Sequence, residues 1–413
     1  REPVHGCSLS GAFNVISQVK DAVALMYSPQ GCSYLSFNTH LNRVPNSDPQ
    51  YTPNLLCTNM NETDAIFGGV KHLEETLLYT QKRFPAYPIF LITSCPAGII
   101  GDDVDAVITR LTTEKQKILH VPSDGVLGGD FYAGMFKAYQ TVAEHFIDDN
   151  VSPEADTVNL IGEQNLSTTA DQNFTSISQI LSDLGLKINC RFIRQTSLEE
   201  IKNFKKAKIN IPIINQSTIT ALTDYLDTRF GTKTINPPIP IAFNQTAEFT
   251  RAVARCFDKE AAAERLIENA KVTHEQEIAS LRMYFAGKKA SIYNSYGCNI
   301  DWLVSTLADL GVEVFNISST ELSYTTERAV PLKPQTYTSI TQLQSTKQLD
   351  QLDFMLTNGP AQIDTKIPCE SFPILPLYGF NSGLNYAKQL CTKLKIPFTE
   401  RWRKDEKLFH SFN

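Results

Sequence analysis

The sequence lacks the short motifs that mark the common zinc and nucleotide sites. No Cys-x-x-Cys pair occurs, which excludes a zinc ribbon and a thioredoxin-type site. The seven histidines form no His-x-x-x-His or His-Glu-x-x-His pair, so zinc-dependent hydrolysis is disfavoured. The paired glycines Gly68-Gly69 and Gly128-Gly129 lack the spacing of phosphate-binding loops, and packing at helix starts explains them better.

The sequence also lacks a long apolar run and a basic stripe. No apolar run reaches about 18 residues, so we expect no membrane-spanning segment. The formal net charge of −6 argues against a nucleic-acid partner. The first residues contain no apolar signal segment, and we therefore expect a cytoplasmic protein.

What the chain does contain is a repeated alternation of strand and helix patterns. Its 413 residues are too many for one hydrophobic core. The alternation predicts an α/β fold of three Rossmann-like, doubly wound domains with parallel sheets. We place the first domain at residues 1–150 and the second, with a long linking helix, at 151–285. The third covers 286–413.

Several local patterns give expected element boundaries. Helix-like runs cover Val15–Val23, Ser217–Phe230 and Glu260–Phe285, and one late strand begins at about Phe372. After the buried strand that precedes Cys95, Pro96 and Gly98 turn the chain, and Asp102 and Asp103 suit the start of a helix because carboxylates accept from its free N–H groups.

Three of the nine cysteines share a local setting. Cys7 and Cys32 each follow a glycine, and Cys95 precedes a Pro-Ala-Gly turn. Doubly wound sheets bring such segments to one edge, and thiolates are the natural ligands of iron in iron–sulfur clusters. The alternative is three unrelated buried thiols, since cluster ligands usually come as a local Cys-x-x-Cys run.

Four motifs together resemble component 1 of nitrogenase and its relatives, which include cofactor-assembly scaffolds and dark-operative protochlorophyllide reductases. Similarity covers nearly the whole chain and is clearest in these segments: Gly6–Ala12 around Cys7, Ser28–Cys32, Asn61–Gly69, and Ser94–Asp103 around Cys95.

The resemblance implies a role for the three thiols. It implies that Cys7, Cys32 and Cys95 hold an iron–sulfur cluster, of the 8Fe–7S P-cluster type or a 4Fe–4S type, shared with another subunit. It further implies two partners: a homologous, cofactor-bearing sister subunit in a heterotetramer, and an ATP-hydrolysing iron–sulfur protein that delivers electrons.

The chain departs from the family pattern where catalytic subunits bind their second, larger cofactor. Ile214 stands where a cysteine ligand is expected, and Tyr378 stands where a late histidine is expected. Cys369 is a candidate for a non-standard ligand, although a thiol at the start of a strand is the preferred explanation. Cys57 lies between the matched motifs and is expected to be a spare core thiol.

These observations predict a subunit that relays electrons without carrying the catalytic metal centre. The expected complex is a nitrogenase-like reductase acting on dinitrogen or a carbon–sulfur bond, with the reducing cofactor in the sister subunit. A tetrapyrrole reductase subunit and a metallocluster assembly scaffold are the alternatives within the family. A cluster-free α/β protein with a ligand in a domain cleft is the alternative outside it.

Overall fold

The computed structural model describes residues 6–43, 52–124, 129–296, 298–319, 335–336, 351–359 and 367–395. They form two compact units. The larger unit contains the described residues of Val4–Ile239 and Ala252–Ala262, and the smaller contains those of Pro240–Arg251 and Ala263–Asn413. The three-domain division at residues 150 and 285 stays a prediction.

The first sheet of the larger unit has four parallel strands in the order β2-β1-β3-β4. Its strands are β1 (Val23–Tyr27), β2 (Asn54–Cys57), β3 (Ile89–Thr93) and β4 (Ile118–Val121). Strands β1 and β3 are buried along their whole length, as expected for a parallel sheet covered on both faces.

Seven helices accompany this sheet in the described part of the chain. They are α1 (Ser8–Ile16), α2 (Gln30–Arg43), α3 (Glu62–Phe67), α4 (Val70–Arg83), α5 (Cys95–Ile100), α6 (Val104–Leu111) and α7 (Phe131–Phe146). The predicted turn after Cys95 is therefore a short helix, and the helix predicted from Asp102 begins at Val104 with Asp103 as its N-cap.

Helix α1 ends at Ile16, so the helix predicted over Val15–Val23 is wrong for all but its first two residues. The reason is pairing with a distant segment. The Lys20 N–H donates to Thr196 O, and the Thr196 N–H donates to Gln18 O. These backbone bonds compete with the helical ones, and β1 then begins at Val23.

The second sheet of the larger unit has three parallel strands in the order β6-β5-β7. Its elements are β5 (Thr157–Ile161), α8 (Ala170–Asp183), β6 (Lys187–Phe192), α9 (Leu198–Lys202), a 3₁₀ turn (Phe204–Lys206), β7 (Ile209–Pro212) and α10 (Ser217–Phe230). A continuous apolar core joins both sheets of this unit. In it, the ring of Tyr139 stacks on Phe192, which packs against Phe204.

The smaller unit is built on a five-stranded parallel sheet in the order β10-β9-β8-β11-β12. Its strands are β8 (Lys289–Asn294), β9 (Glu313–Ser319), β10 (Gln335–Thr336), β11 (Phe354–Thr357) and β12 (Cys369–Ser371). The remaining helices are α11 (Ala242–Arg255), α12 (Glu260–Phe285), α13 (Asp301–Asp309) and α14 (Ser382–Lys395).

The strand predicted from about Phe372 begins earlier, at Cys369. Met355 of β11 pairs with Cys369, and the last ladder bond runs from the Phe372 N–H to Thr357 O. Pro373 follows and has no N–H to continue the ladder.

Candidate metal centre

Three cysteines follow three adjacent strands of the four-stranded sheet. Cys57 ends β2, Cys32 lies in the first turn of α2 after the two-residue loop that follows β1, and Cys95 follows β3 after Ser94. Strands β2, β1 and β3 are parallel neighbours, so their carboxyl ends lie at one edge. This edge is where open α/β sheets bind their ligands. The sheet topology therefore places three thiols at the edge where sheets of this kind bind ligands.

Cys95 is placed by a hydrogen bond between neighbouring strands. It is the first residue of α5, and the preceding Ser94 directs its hydroxyl away from the helix to Tyr27 O, at 2.7 Å. The Ser94 N–H donates to the same carbonyl oxygen at 3.1 Å. Both bonds join the end of β3 to the end of β1, and thus fix Cys95 relative to the loop that carries Cys32.

Cys32 lies in the first turn of α2 and is half-buried. Burial raises the pKa of its thiol, and electrostatic repulsion from Cys7, Cys95 and Cys57 raises it further. Such repulsion weakens with distance, so Cys7, Cys95 and Cys57 are the thiols whose charges act on Cys32. A metal cation there would reverse the effect and favour thiolates.

Cys7 reaches this neighbourhood from outside the sheet. It is the N-cap of α1 and exposed, and its sulfur lies 3.5 Å from the Ser10 hydroxyl. Two glycines let α1 cross α7 closely: a Cβ on Gly11 would come within 1.8 Å of Phe131 O, and one on Gly134 within 1.9 Å of Ser8 O. This crossing fixes the position of Cys7.

The structure assigns Cys57 a different place from the predicted one. The sequence predicts a spare core thiol, but the side chain is half-buried at the edge that also carries Cys32 and Cys95. Its sulfur accepts from the Asn59 N–H at 3.3 Å and lies 3.4 Å from the Ser28 hydroxyl. The sequence does not indicate β2, because the pattern Leu55-Leu56-Cys57 is too short to predict the end of a strand.

The donor set fits a cluster better than a single ion. Among the described residues, no group of three or more histidines, cysteines or acidic residues lies close enough to hold one metal ion. A 4Fe–4S cluster takes one thiolate at each iron, and its ligands therefore stand further apart than those of one ion. Cys7, Cys32 and Cys95 supply the donor type that iron–sulfur clusters take.

A second set of contacts joins the end of β1 to the segments that follow β2 and β3. The Tyr27 hydroxyl donates to the Asp102 carboxylate, which also accepts the Gly69 N–H at 3.0 Å. Burial and the neighbouring carboxylate raise the pKa of Tyr27 well above its ordinary value. A Cβ on Gly69 would come within 2.3 Å of the Tyr27 oxygen. These contacts thereby join two of the sequence motifs, Asn61–Gly69 and Ser94–Asp103.

Large apolar side chains are exposed on the two helices that carry Cys32 and Cys95, and on α3. The segments involved are the first turns of α2, the end of α3, and α5. Phe67 is 83% exposed and Ile99 is 72% exposed, and the others in this set are Tyr34, Leu35 and Ile66. Solvent-exposed apolar groups of this size around a potential metal site are typical of a surface that another protein covers.

The positions that depart from the family pattern hold no further cluster of thiols. Ile214 follows β7 and packs against the core, where its Cγ2 would lie 2.9 Å from a Cβ on Gly162. Cys369 begins β12 and packs beside Tyr293 and Met355, which matches the preferred prediction of a strand-start thiol. Burial, followed by the charge of Glu370, raises the pKa of Cys369 to about 11. Tyr378 is half-buried.

Parallel sheets with interleaved helices and a gathering of thiols at one sheet edge define a class of α/β protein suited to an iron–sulfur cluster. The family model described as "Nitrogenase component 1 type Oxidoreductase" matches residues 7–395. The chain belongs to this family, which confirms the resemblance inferred from the motifs.

Individual relatives include nitrogenase subunits and an assembly protein. The chain is 26% identical over 318 residues to the nitrogenase molybdenum-iron protein alpha chain of Methanosarcina barkeri, covering 75% of this chain and 58% of that one. It is 25% identical over 423 aligned positions to the nitrogenase iron-molybdenum cofactor biosynthesis protein NifE of Nostoc, covering 97% and 85% respectively. This chain thus spans little more than half of the alpha chain.

The fold has a solved counterpart. The structure described as nitrogenase Cp1 at pH 5 superimposes with a TM-score of 0.69 at 20% identity, covering 97% of this chain and 90% of that one. This match confirms the predicted α/β fold class with parallel sheets. Separately, no helix within the described ranges is both long enough and apolar enough to cross a membrane.

Proposed function

We propose that the chain is a subunit of a nitrogenase-like two-component reductase and relays electrons through an iron–sulfur cluster. Cys7, Cys32 and Cys95 would hold that cluster, which is shared with a homologous sister subunit. The observation that carries this proposal is that Cys32 and Cys95 follow neighbouring parallel strands at one edge of a sheet, with Cys7, at the start of α1, among the groups that act electrostatically on Cys32. When bound, the cluster would take up and pass on single electrons.

The chain's own residues position and protect such a group. The Ser94 hydrogen bonds to Tyr27 O fix Cys95, and the close crossing of α1 and α7 fixes Cys7. Thiolate ligands keep the reduction potential of a cluster low, and burial tunes it. The exposed apolar side chains Phe67 and Ile99 suit a protein partner that excludes water from the thiols.

Substrate reduction would take place in the sister subunit. Ile214 offers no donor atom, and Cys369 is committed to packing beside Met355 in a strand. Substrate and reducing cofactor, for dinitrogen or a carbon–sulfur bond, therefore belong to the partner. The chain has no phosphate-binding loop in its sequence, so ATP hydrolysis belongs to a separate iron–sulfur protein that supplies the electrons.

The first experiment tests the ligand assignment in the anaerobically purified complex. We expect Cys95→Ala to lower iron and acid-labile sulfide and to remove the cluster's electron paramagnetic resonance signal. Cys256→Ala is the matched control, because this half-buried thiol lies directly after α11 and donates to Ala252 O of that helix. A Cys95→Ala complex with full iron content and an unchanged signal would contradict the assignment.

A second function is favoured by one observation. The biosynthesis protein NifE of Nostoc aligns with 97% of this chain, more than the alpha chain of Methanosarcina barkeri does. An assembly scaffold would use the same thiols to hold a cluster before its transfer. Turnover with the cognate iron protein and a reductant supports the reductase, whereas release of cluster to a cofactor-free enzyme without turnover supports the scaffold. A colourless protein without iron or sulfide would exclude both.

A further inference from the structure

A pair of serine hydroxyls joins the two helices that begin at Cys7 and carry Cys32. Ser10 lies on α1, three residues after Cys7, and Ser36 lies on α2, four residues after Cys32. Residues four apart share one face of a helix, so Ser36 lies on the side of α2 that carries Cys32. The two hydroxyl oxygens are 3.1 Å apart, and the Ser10 oxygen lies 3.5 Å from the Cys7 sulfur. A chain of hydrogen-bonding groups therefore runs from α2 through α1 to a predicted ligand.

Other hydroxyls of α2 bond to their own helix instead. The Ser33 hydroxyl donates to Gln30 O, and the Thr39 hydroxyl donates to Leu35 O, both at 2.9 Å. Such bonds to the preceding turn are the common arrangement for serine and threonine within helices. Ser36 is only 5% exposed and reaches across to the neighbouring helix, so little water competes for its contact.

A second contact further along fixes the same pair of helices. The hydroxyl of Ser17, directly after α1, lies 3.2 Å from Nδ1 of His40 on α2, and both residues are buried. The ring of Phe13 packs against the ring of His40 with centroids 5.9 Å apart. The two helices are thus held at two points, and the contact between Ser10 and Ser36 is the one nearer the cysteines.

The direction of the hydrogen bonds follows once Cys7 is a metal ligand. A metal-bound thiolate has no proton to give, so the Ser10 hydroxyl must donate to the Cys7 sulfur. The Ser10 oxygen can then accept from the Ser36 hydroxyl, and hydrogen bonds in such a chain polarise and strengthen one another. A donor to a ligating sulfur stabilises negative charge there. It therefore favours the reduced cluster and raises the reduction potential.

We propose that Ser10 and Ser36 form a hydrogen-bond relay to the Cys7 sulfur that raises the reduction potential of the cluster. The inference rests on the proposed function and deepens it. Neither serine is placed on the iron, so both are positioning residues that act through Cys7. Cys7 is exposed in this chain alone, and a sister subunit that shares and covers the cluster would exclude water and strengthen the relay.

The test is a redox titration of the anaerobically purified complex, followed by electron paramagnetic resonance. We expect Ser10→Ala to keep its iron and to shift the midpoint potential of the cluster to a more negative value, because the sulfur loses its donor. Ser36→Ala should shift the potential in the same direction by less, since the Ser10 hydroxyl remains. Ser10→Thr retains the hydroxyl and should keep the unaltered potential. Ser10 lines a small cavity, which leaves space for the added methyl group.

Ser33→Ala is the matched control, because it removes a hydroxyl one residue from Cys32 that bonds only within α2, to Gln30 O. We expect its midpoint potential to equal that of the unaltered complex. An unaltered potential in Ser10→Ala overturns the proposal, and so does a shift to a more positive value. If Ser10→Ala loses its iron, Ser36→Ala decides, and an unaltered potential there overturns the proposal. Loss of iron from both variants also overturns it, because the pair would then be needed to bind the cluster rather than to set its potential.

The two proposals fail in different ways. If Ser10→Ala has the unaltered potential while Cys95→Ala loses its iron, the relay has no effect on the cluster and the proposed function stands. If the unaltered complex contains no iron, the proposed function fails and the relay fails with it.

Discussion

The hydroxyl of Ser94 donates a hydrogen bond of 2.7 Å to the carbonyl oxygen of Tyr27, and so joins the ends of two neighbouring strands. This bond lies directly before Cys95 and shortly before the loop to Cys32. The bond therefore holds the segment that begins with Cys95 against the end of β1, from which the chain leads to Cys32. Its consequence is measurable in stability and in cluster retention.

We expect Ser94→Ala to lower the free energy of unfolding by about 1 kcal/mol, the usual net contribution of one hydrogen bond. The loss is limited because the Ser94 N–H still donates to Tyr27 O. The variant should also lose iron faster to a chelator, since Cys95 is less firmly placed. Urea unfolding of the metal-free chain and iron release from the complex measure the two effects.

Ser280→Ala is the control for that experiment. Its hydroxyl donates to Glu277 O on the exposed face of α12, so the same atoms are removed where no strand end depends on them. We expect a change within about 0.5 kcal/mol and an unchanged rate of iron release. Equal iron release from both variants would show that the Ser94 bond does not position Cys95.

The close crossing of α1 and α7 gives a second prediction. In Gly11→Ala the new methyl group would overlap the backbone at Phe131 O, and no side-chain rotation relieves this. The helices must separate, at a cost of about 2–3 kcal/mol. Gly31→Ala in α2 meets nothing within 4 Å and should be neutral or stabilising by about 0.5–1 kcal/mol. Urea midpoints compare the two, and equal midpoints would mean that the crossing is not tight.

The elements that sequence predicted well are those whose signals are local. Helices Ser217–Phe230 and Glu260–Phe285 have the bounds that the sequence pattern predicts. The strand before Cys95 is a run of buried apolar residues, and the turn after it contains proline and glycine. A functional residue at the end of such a strand, such as Cys95, can therefore be predicted from the sequence alone.

The elements that sequence missed depend on distant partners. Strand β2 has only four half-buried residues, and its place is set by pairing with β1. The sequence does not reveal this strand, so it gives no sign that Cys57 lies at a sheet edge and predicts a core thiol instead. The helix predicted to continue from Val15 to Val23 likewise yields to backbone bonds with Thr196, which local patterns cannot reveal.

Buried His40 predicts a specific dependence of stability on pH. Its ring lies near the Ser17 hydroxyl, and burial, with a smaller contribution from Arg194, lowers its pKa to about 4. The unfolded chain binds a proton at this histidine below about pH 6.5, whereas the folded chain keeps it neutral. The contribution to stability is therefore complete above pH 6.5 and is lost as the pH falls toward 4.

We expect this histidine to account for about 2 kcal/mol of the stability lost between pH 7 and pH 5. His40→Gln removes the titrating group, so its free energy of unfolding should fall less over that interval than that of the unaltered chain. Urea unfolding of both metal-free chains at matched pH values measures the difference, and carboxylates common to both cancel. Parallel pH profiles would show that His40 is not neutral in the folded chain.

The thiol of Cys369 gives the last prediction, which separates it from a metal ligand. Its raised pKa of about 11, against an ordinary 9.0, lowers the thiolate fraction about 100-fold at pH 8. Greater intrinsic nucleophilicity offsets part of this, so alkylation of the folded, metal-free chain should be at least about tenfold slower at Cys369 than at exposed Cys7. Mass spectrometry of iodoacetamide-treated peptides measures both rates, and urea-unfolded chain, in which the two should react alike, is the control. If Cys369 reacts as fast as Cys7 in the folded chain, the thiol is not held in the apolar setting beside Tyr293 and Met355, and a role in metal binding would have to be tested directly.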